Sequence, residues 1–203
     1  MSESRIGSPA LASRLRGALR GDVLFGAFDR GRYSTDASIY QIEPIGVALP
    51  RGTGDVEAAI ALAREEGFPV IARGGGSSQN GQTLGEALVL DTSRYMNEVL
   101  EIDGQAGTVT VQPGIVLDEL NRRLKGTGWH FPVDVSTSAN ATLGGMTGNN
   151  SAGTRSIKYG IMVHNVLEVE AVLADGSRLL FGELPDDPAG QPARLLEIGR
   201  AMR

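Results

Sequence analysis

Apolar positions along the chain alternate between spaced stripes and short solid runs. Leu11, Leu15, Ala18 and Leu19 recur at helical spacing, with Arg14, Arg16 and Arg20 on or beside the opposite face. This predicts a surface helix packed on the body. The run at residues 47–49 reads as a strand stopped by Pro50. Thr53 and Asp55 open a helix whose stripe is Val56, Ala59, Ile60 and Ala63 and whose stop is Gly67. Residues 68–72 are again a compact apolar run. A strand–helix–strand unit of this kind predicts a parallel pair joined by a right-handed crossover. Further strands are expected at residues 87–90, 99–102 and 108–111. Residues 116–125 form a helix with the stripe Leu117, Leu120 and Leu124 before Gly126. Leu167, Val169, Ala171 and Leu173 alternate, Asp175-Gly176 turns the chain, and residues 179–181 return, which is a hairpin pattern. A weak helix is expected from Arg194 after a linker. The pattern as a whole predicts an α+β (mixed α/β) fold.

Two stretches carry neither period, residues 73–82 and residues 131–160, and composition explains why. The 203 residues include 28 glycines, about twice the usual share of roughly 7%, and these two stretches concentrate them. The rest of the composition mainly excludes. A net charge of −5 argues against binding nucleic acid through phosphate neutralisation. No apolar run is long enough to cross a bilayer, and the N-terminus lacks the pattern of a signal peptide. With no cysteine there is no disulfide and no Cys-held zinc or iron–sulfur cluster in these residues. His130 and His164 are the two histidines. Each reads as a surface or loop residue rather than a metal ligand.

A glycine run directly after a strand is a phosphate-cradle signal, because consecutive N–H groups can curl around an anion and no Cβ blocks the approach. A Walker loop is excluded, since no Lys lies near residues 74–81. The Rossmann spacing also fails, because Gly74, Gly76 and Gly81 do not fit it and the chain runs on into a strand rather than a helix. What remains is a strand–loop–strand cradle for a pyrophosphate, with Ser77 and Ser78 offering hydroxyls, or a plain glycine-rich turn. In the second stretch, Thr142, Gly144, Gly145, Gly148, Gly153 and Gly160 are interleaved with Asn149, Asn150, Ser151, Ser156 and Tyr159. Such small, hydrogen-bonding residues suit a segment lying against a large polar ligand, though alone they also suit a solvent loop. Two such loops in one small chain suggest one extended ligand bridging both.

The segments "PRGTGDVEAAIALAREEGFPVIARGGGSSQNGQ", "VQPGIVLDELNRRLKGTGWHFPVDVSTSANATLGGMTGNNSAGTRSIKYG" and "NVLEVEAVLADGSRLL" resemble, in order, the FAD-binding domain of the FAD-linked oxidases. This superfamily holds vanillyl-alcohol oxidase, p-cresol methylhydroxylase, glycolate oxidase and the D-lactate and D-2-hydroxyglutarate dehydrogenases. The resemblance covers about residues 33–182. "RYSTDASIYQ" and "FPVDVSTSANATLGGMTGNNSAGTRSIKYG" are most similar to the large D-2-hydroxy-acid dehydrogenases that carry an iron–sulfur portion.

The resemblance implies two small α/β subdomains with FAD between them: residues 33–115 and 116–182, after a helical segment at 1–32 and before a linker at 183–203. It implies that Arg73, Gly74, Gly75, Gly76, Ser77, Ser78, Gly81 and Gln82 surround the pyrophosphate. Pro50 falls near the adenine side, and Pro113 and Gly114 before a helix flanking the cofactor. Pro132, Asp134, Ser136 and Thr137 match the segment along the flavin and ribityl chain. Thr142, Gly144, Gly145, Asn149, Asn150, Ala152 and Gly153 match the second cofactor loop, which Tyr159 and Gly160 close. Val166 matches a position near the adenine. Ser77 stands where covalent members often have His, which implies non-covalent FAD. The family's third cofactor segment and substrate-binding cap are not found in these residues. The expected function is therefore the FAD-binding part of a 2-hydroxy-acid oxidoreductase, with turnover depending on a cap domain or partner. Its electrons would leave through an iron–sulfur partner or fused portion, in a cytoplasmic protein associated with membranes only through partners.

Overall fold

The computed structural model describes residues 5–183. The helix α1 (Pro9–Ala18) starts on Ser8, whose hydroxyl accepts from the Leu11 amide at 3.4 Å. Its buried face is Leu11, Ala12 and Leu15, while Ala18 is exposed. The expected stripe was thus one position out at its C-terminal end, because the helix stops before Leu19 turns inward. Strand β1 (Asp22–Leu24) and helix α2 (Ala27–Tyr33) follow; α2 buries no residue and so left no periodic mark in the sequence.

The first layer is a four-stranded sheet in the order β1-β2-β4-β3, formed by β1, β2 (Gly46–Leu49), β3 (Val70–Arg73) and β4 (Leu88–Asp91). Helix α3 (Thr53–Glu66) joins β2 to β3 and ends at Gly67 in the left-handed conformation (φ +68°). The two strands are parallel and share the sheet, but they do not pair. The fully buried β4 inserts between them, Val89 opposing both Val47 and Ile71. The local pattern gave the parallel direction of the two strands, but the pairing partner arrives later in the chain. β3 is left as a half-buried edge strand rather than a core strand. Buried Asp55 in the first turn of α3 accepts from the amides of Arg20, Gly21 and Arg51 at 2.8–3.0 Å. Three amide donors offset the cost of burying that carboxylate. They also fasten the β1 entry to the end of β2.

The second layer is smaller. Strands β5 (Val99–Asp103) and β6 (Thr108–Val111) form an antiparallel pair, and α4 (Leu117–Leu124) buries the expected Leu117, Leu120 and Leu124. Strands β7 (Val169–Val172) and β8 (Arg178–Phe181) form the expected hairpin, which is tied to α3 of the first layer by Arg178–Glu57 and by Arg64 donating to the Asp175 carbonyl. Between α4 and the hairpin the stretch expected to be loop, residues 131–160, contains two short helices, α5 (Leu143–Gly148) and α6 (Ser156–Tyr159), and a third, α7 (Met162–Asn165), follows it.

Two cores result. The first packs Leu11, Leu15, Val23 and Phe25 with Ala48, Ala59, Leu62, Leu88 and Leu90. The second packs Ile115, Leu117, Leu120, Val133, Leu143, Met146 and Met162. Val99, Val109 and Val111 pack on the second core. The division between cores therefore runs before β5, and α1 and β1 are built into the first core. The helix expected from Arg194 lies outside the described residues. Among the described residues, no helix is long and apolar enough to cross a membrane.

Candidate functional site

The parallel strands β2, β3 and β4 all point one way, so Pro50, Gly74 and Thr92 leave the sheet along a single edge. That carboxyl edge is where open α/β sheets take ligands. Gly74 begins the first glycine loop immediately after β3. Among the described residues, none of the six consecutive amides from Gly74 to Gln79 donates to a protein acceptor. A run of N–H groups without protein acceptors at a strand end is a candidate anion nest.

Glycine is required in this loop for reasons that differ by position. A Cβ on Gly74 would strike the Thr142 side chain, and one on Gly75 would land on the Asn140 carbonyl oxygen. Gly76 and Gly81 have φ of +65° and +73°, the left-handed region that glycine occupies without strain. The first two glycines thus let the second loop close onto the first, while the other two turn the chain. The Ser78 hydroxyl donates to the Gln82 side-chain oxygen, and Gln82 Nε2 donates to Asn149 Oδ1 at 3.5 Å. The Arg73 guanidinium packs against Gly76 of the loop; it donates to the Thr35 carbonyl at 2.9 Å and to that of Tyr33 at 3.4 Å, and stacks over the Tyr33 ring.

The second loop is built differently. The Thr137 carbonyl accepts from the amides of Asn140 and Ala141, both at 2.8 Å, which sets the turn that faces Gly74 and Gly75. Buried Thr142 then caps α5, its hydroxyl accepting from the Gly145 amide at 3.4 Å. The Gly144 amide donates to the Pro113 carbonyl at 2.8 Å, and a Cβ there would strike Pro113. Gly114 packs equally tightly on the Thr92 backbone. Asp134 holds the far end. It accepts from the Thr154 hydroxyl at 2.6 Å and the Arg155 amide at 2.9 Å, and these bonds hold its carboxyl below the ordinary carboxylate range. Gly153 packs on its backbone. Asn150, at φ +46°, accepts from the Val163 amide at 3.0 Å and so anchors α7.

The remaining expected residues are spread around this centre. Ser136 and Ala152 are exposed on the second loop. Pro132 lines a small cavity of about 130 Å³ with Trp129, His130 and Phe131. The Tyr159 ring stands edge-on to His130 at 6.0 Å. The Tyr159 carbonyl accepts from Asn165, beside Gly160 at φ +80°, and Val166 packs on the second core. The His164 Nδ1 accepts from the Ile161 amide at 3.1 Å, a local cap rather than a ligand geometry. Among the described residues no cluster of His, Asp and Glu could hold a metal ion.

Sequence reasoning assigned no contact to the segment around Asp36, yet that segment lies directly on the first loop. The Ala37 amide donates to the Gly76 carbonyl at 3.1 Å, and the Thr83 hydroxyl donates to Asp36 Oδ2 at 3.1 Å. The available signal was Asp36 two residues before Ser38, an Asx-turn spacing, in a chain stretch with no apolar stripe.

A glycine loop with unpaired amides at the strand edge, closed against the second loop through glycine contacts, is an arrangement that suits a cofactor carrying a pyrophosphate. The chain belongs to the FAD binding domain family, matching it over residues 44–182. It is similar to D-2-hydroxyglutarate dehydrogenase of Escherichia coli, 42% identical over 168 residues, which are 81% of this chain and 16% of that protein. It is 35% identical over 170 residues to the glycolate oxidase subunit GlcD of Bacillus subtilis, covering 82% of this chain and 36% of that one. Among solved structures, an alkyldihydroxyacetonephosphate synthase superposes with a TM-score of 0.77 at 25% identity, over 86% of this chain and 34% of that chain. The carbohydrate oxidase from Microdochium nivale shares the fold with a TM-score of 0.72 at 23% identity, over 84% of this chain and 37% of that chain. The chain therefore spans about a sixth of the dehydrogenase and about a third of the others.

Proposed function

We propose that this chain supplies the FAD-holding part of a flavin-dependent oxidoreductase that converts a D-2-hydroxy acid, of the lactate, glycolate or 2-hydroxyglutarate type, to the 2-keto acid. The observation that carries the reading is the unpaired amide run from Gly74 to Gln79, set at the carboxyl edge of the sheet. The cofactor's phosphates are acceptors without donors, so they complete that run without a charged side chain. The second loop supports the reading by position. Asn140, Ala141 and Thr142 close against Gly74 and Gly75 and shape the wall opposite the nest. Bound FAD supplies a two-electron acceptor for the hydride on the substrate α-carbon. The chain's own residues bind and orient the cofactor and narrow its access to water.

Attachment is read as non-covalent, because residues 73–82 contain no His and the chain no Cys. Substrate choice and the proton-abstracting base are assigned to a cap region of the whole protein. Electron transfer is assigned to an iron–sulfur partner or fused portion, and the setting is read as cytoplasmic with membrane contact only through partners. The similarity to the Escherichia coli and Bacillus subtilis relatives supports the acid class.

The decisive experiment is an absorbance spectrum of the purified chain with an FAD titration followed by flavin fluorescence. Saturable quenching with a rise in Tm is expected. Acid precipitation should release the flavin to the supernatant. Absence of both quenching and thermal shift overturns the cofactor reading, and flavin retained in the pellet overturns non-covalent attachment.

A further inference from the structure

The unpaired amides of residues 74–79 raise a physical question: what holds a loop whose own N–H groups bond to nothing in the protein? Glycine-rich backbone without hydrogen bonds is entropically costly to order. The structure places the answer in residues 33–41. The Ala37 amide grips the Gly76 carbonyl at 3.1 Å. The Thr35 and Tyr33 carbonyls hold the Arg73 guanidinium at 2.9 and 3.4 Å, directly before the loop. Asp36 accepts from the Thr83 hydroxyl at 3.1 Å, directly after it. The Tyr40 ring lies over Gly81, where a Cβ would come to 2.9 Å.

The segment is itself braced. Asp36 also accepts from the Ser38 amide at 2.8 Å, Thr35 bridges Gln41, and the Ile42 amide donates to the Ser34 carbonyl at 2.9 Å. At its start the Tyr33 hydroxyl donates to buried Asp91 at 2.7 Å, next to β3 in the sheet. Burial and that carboxylate push the Tyr33 phenol up to about 12, so it stays a donor throughout the neutral range. Every tie to the loop uses a carbonyl, a side chain or a ring face, and none consumes an amide of residues 74–79.

We infer that residues 33–41 form a positioning strap that holds the glycine loop with its amides turned outward, and that Asp36 and Thr83 are positioning residues for the pyrophosphate of the cofactor. The inference rests on the reading of the loop as a pyrophosphate cradle, and its test is arranged so that the two fail separately. Asp36 and Thr83 contribute no donor to the nest, and Thr83→Val, which leaves the charge unchanged, isolates the effect of loop geometry from that of the Asp36 charge.

The test compares Thr83→Val, Asp36→Ala and the conservative Asp36→Asn with the native chain in two measurements. The first needs no ligand: backbone ¹⁵N relaxation at residues 74–79. Order parameters near ~0.85 in the native chain should fall below ~0.6 in Thr83→Val and Asp36→Ala. The second is titration with FAD and, separately, with ADP. Both ligands carry the pyrophosphate and should weaken together by about tenfold, the value of one well-placed hydrogen bond. Asp36→Asn keeps an acceptor for Ser38 and should restore binding to within about twofold. The apo Tm should move by no more than about 4 °C. Unchanged relaxation in both disruptive variants overturns the strap. So does a loss of FAD binding that tracks a collapse in Tm, which marks a general packing role. A native chain whose loop is rigid and whose variants loosen it, but which binds neither ligand, upholds the strap and overturns the cradle.

Discussion

The two glycine-rich loops have similar composition and opposite construction. In residues 74–79 the amides are left free and the glycines allow the chain to turn and the opposing loop to approach. In residues 142–153 the glycines sit in and just beyond α5, and the amides of Leu143, Gly144, Gly145, Met146, Asn149, Asn150 and Ser151 all find protein acceptors. On the proposed reading the first loop receives an anion and the second forms the wall opposite it. Glycine density in a sequence marks both, because absence of a Cβ serves donor presentation and close packing equally. Only the destination of each N–H separates them.

The largest expected effect that sharpens this contrast comes from paired alanines. Gly75→Ala drives a Cβ into the Asn140 carbonyl, where backbone must move on both sides. It should cost about 1–3 kcal/mol and abolish FAD quenching. Gly148→Ala meets nothing within 4 Å at the end of α5, so it should hold or raise stability by up to about 1 kcal/mol and leave quenching intact. Urea melts of the two variants decide the matter; equal midpoints would erase the distinction drawn here.

An intermediate effect is expected from Thr142→Val, which keeps the shape against Gly74 but removes the α5 cap. A loss of about 1 kcal/mol should appear in the same melts. A neutral result would show that the second loop does not depend on its cap.

The smallest effect concerns acid. The carboxyl of Asp134 is held low by Thr154 and Arg155, so its contribution is present above the ordinary carboxylate pKa. It is lost as pH falls through the folded-state value, below about pH 4. Asp134→Asn should flatten that acid limb of a Tm-against-pH curve while leaving the first loop's ¹⁵N shifts unmoved. Shifts in residues 74–79 would mean that the two loops are coupled through Asp134.

Much of this fold was written in local pattern. The α3 stripe, its Gly67 stop, the α4 leucines and the Asp175-Gly176 hairpin each depend on residues within a few positions of one another. The elements missed share a different trait. Helix α2 buries nothing, and α5 to α7 are four to six residues long, too short to complete an apolar period. At the site, Gly74 to Gln82 were legible from composition as a candidate cradle or a plain glycine-rich turn. Asp36 and Thr83 were not, because 47 residues separate the two ends of their bond.

By itself the sequence determined the longer strands and helices with a complete apolar period, where glycine concentrates, and the family to which the ordered motifs belong. Tertiary structure decided which strand neighbours which, with β4 taking the place between β2 and β3. It also decided which amides remain unpaired. Periodicity is a property of near neighbours and survives in one dimension. Whether an N–H meets an acceptor depends on chain segments brought together from far apart, and only the folded molecule sets that.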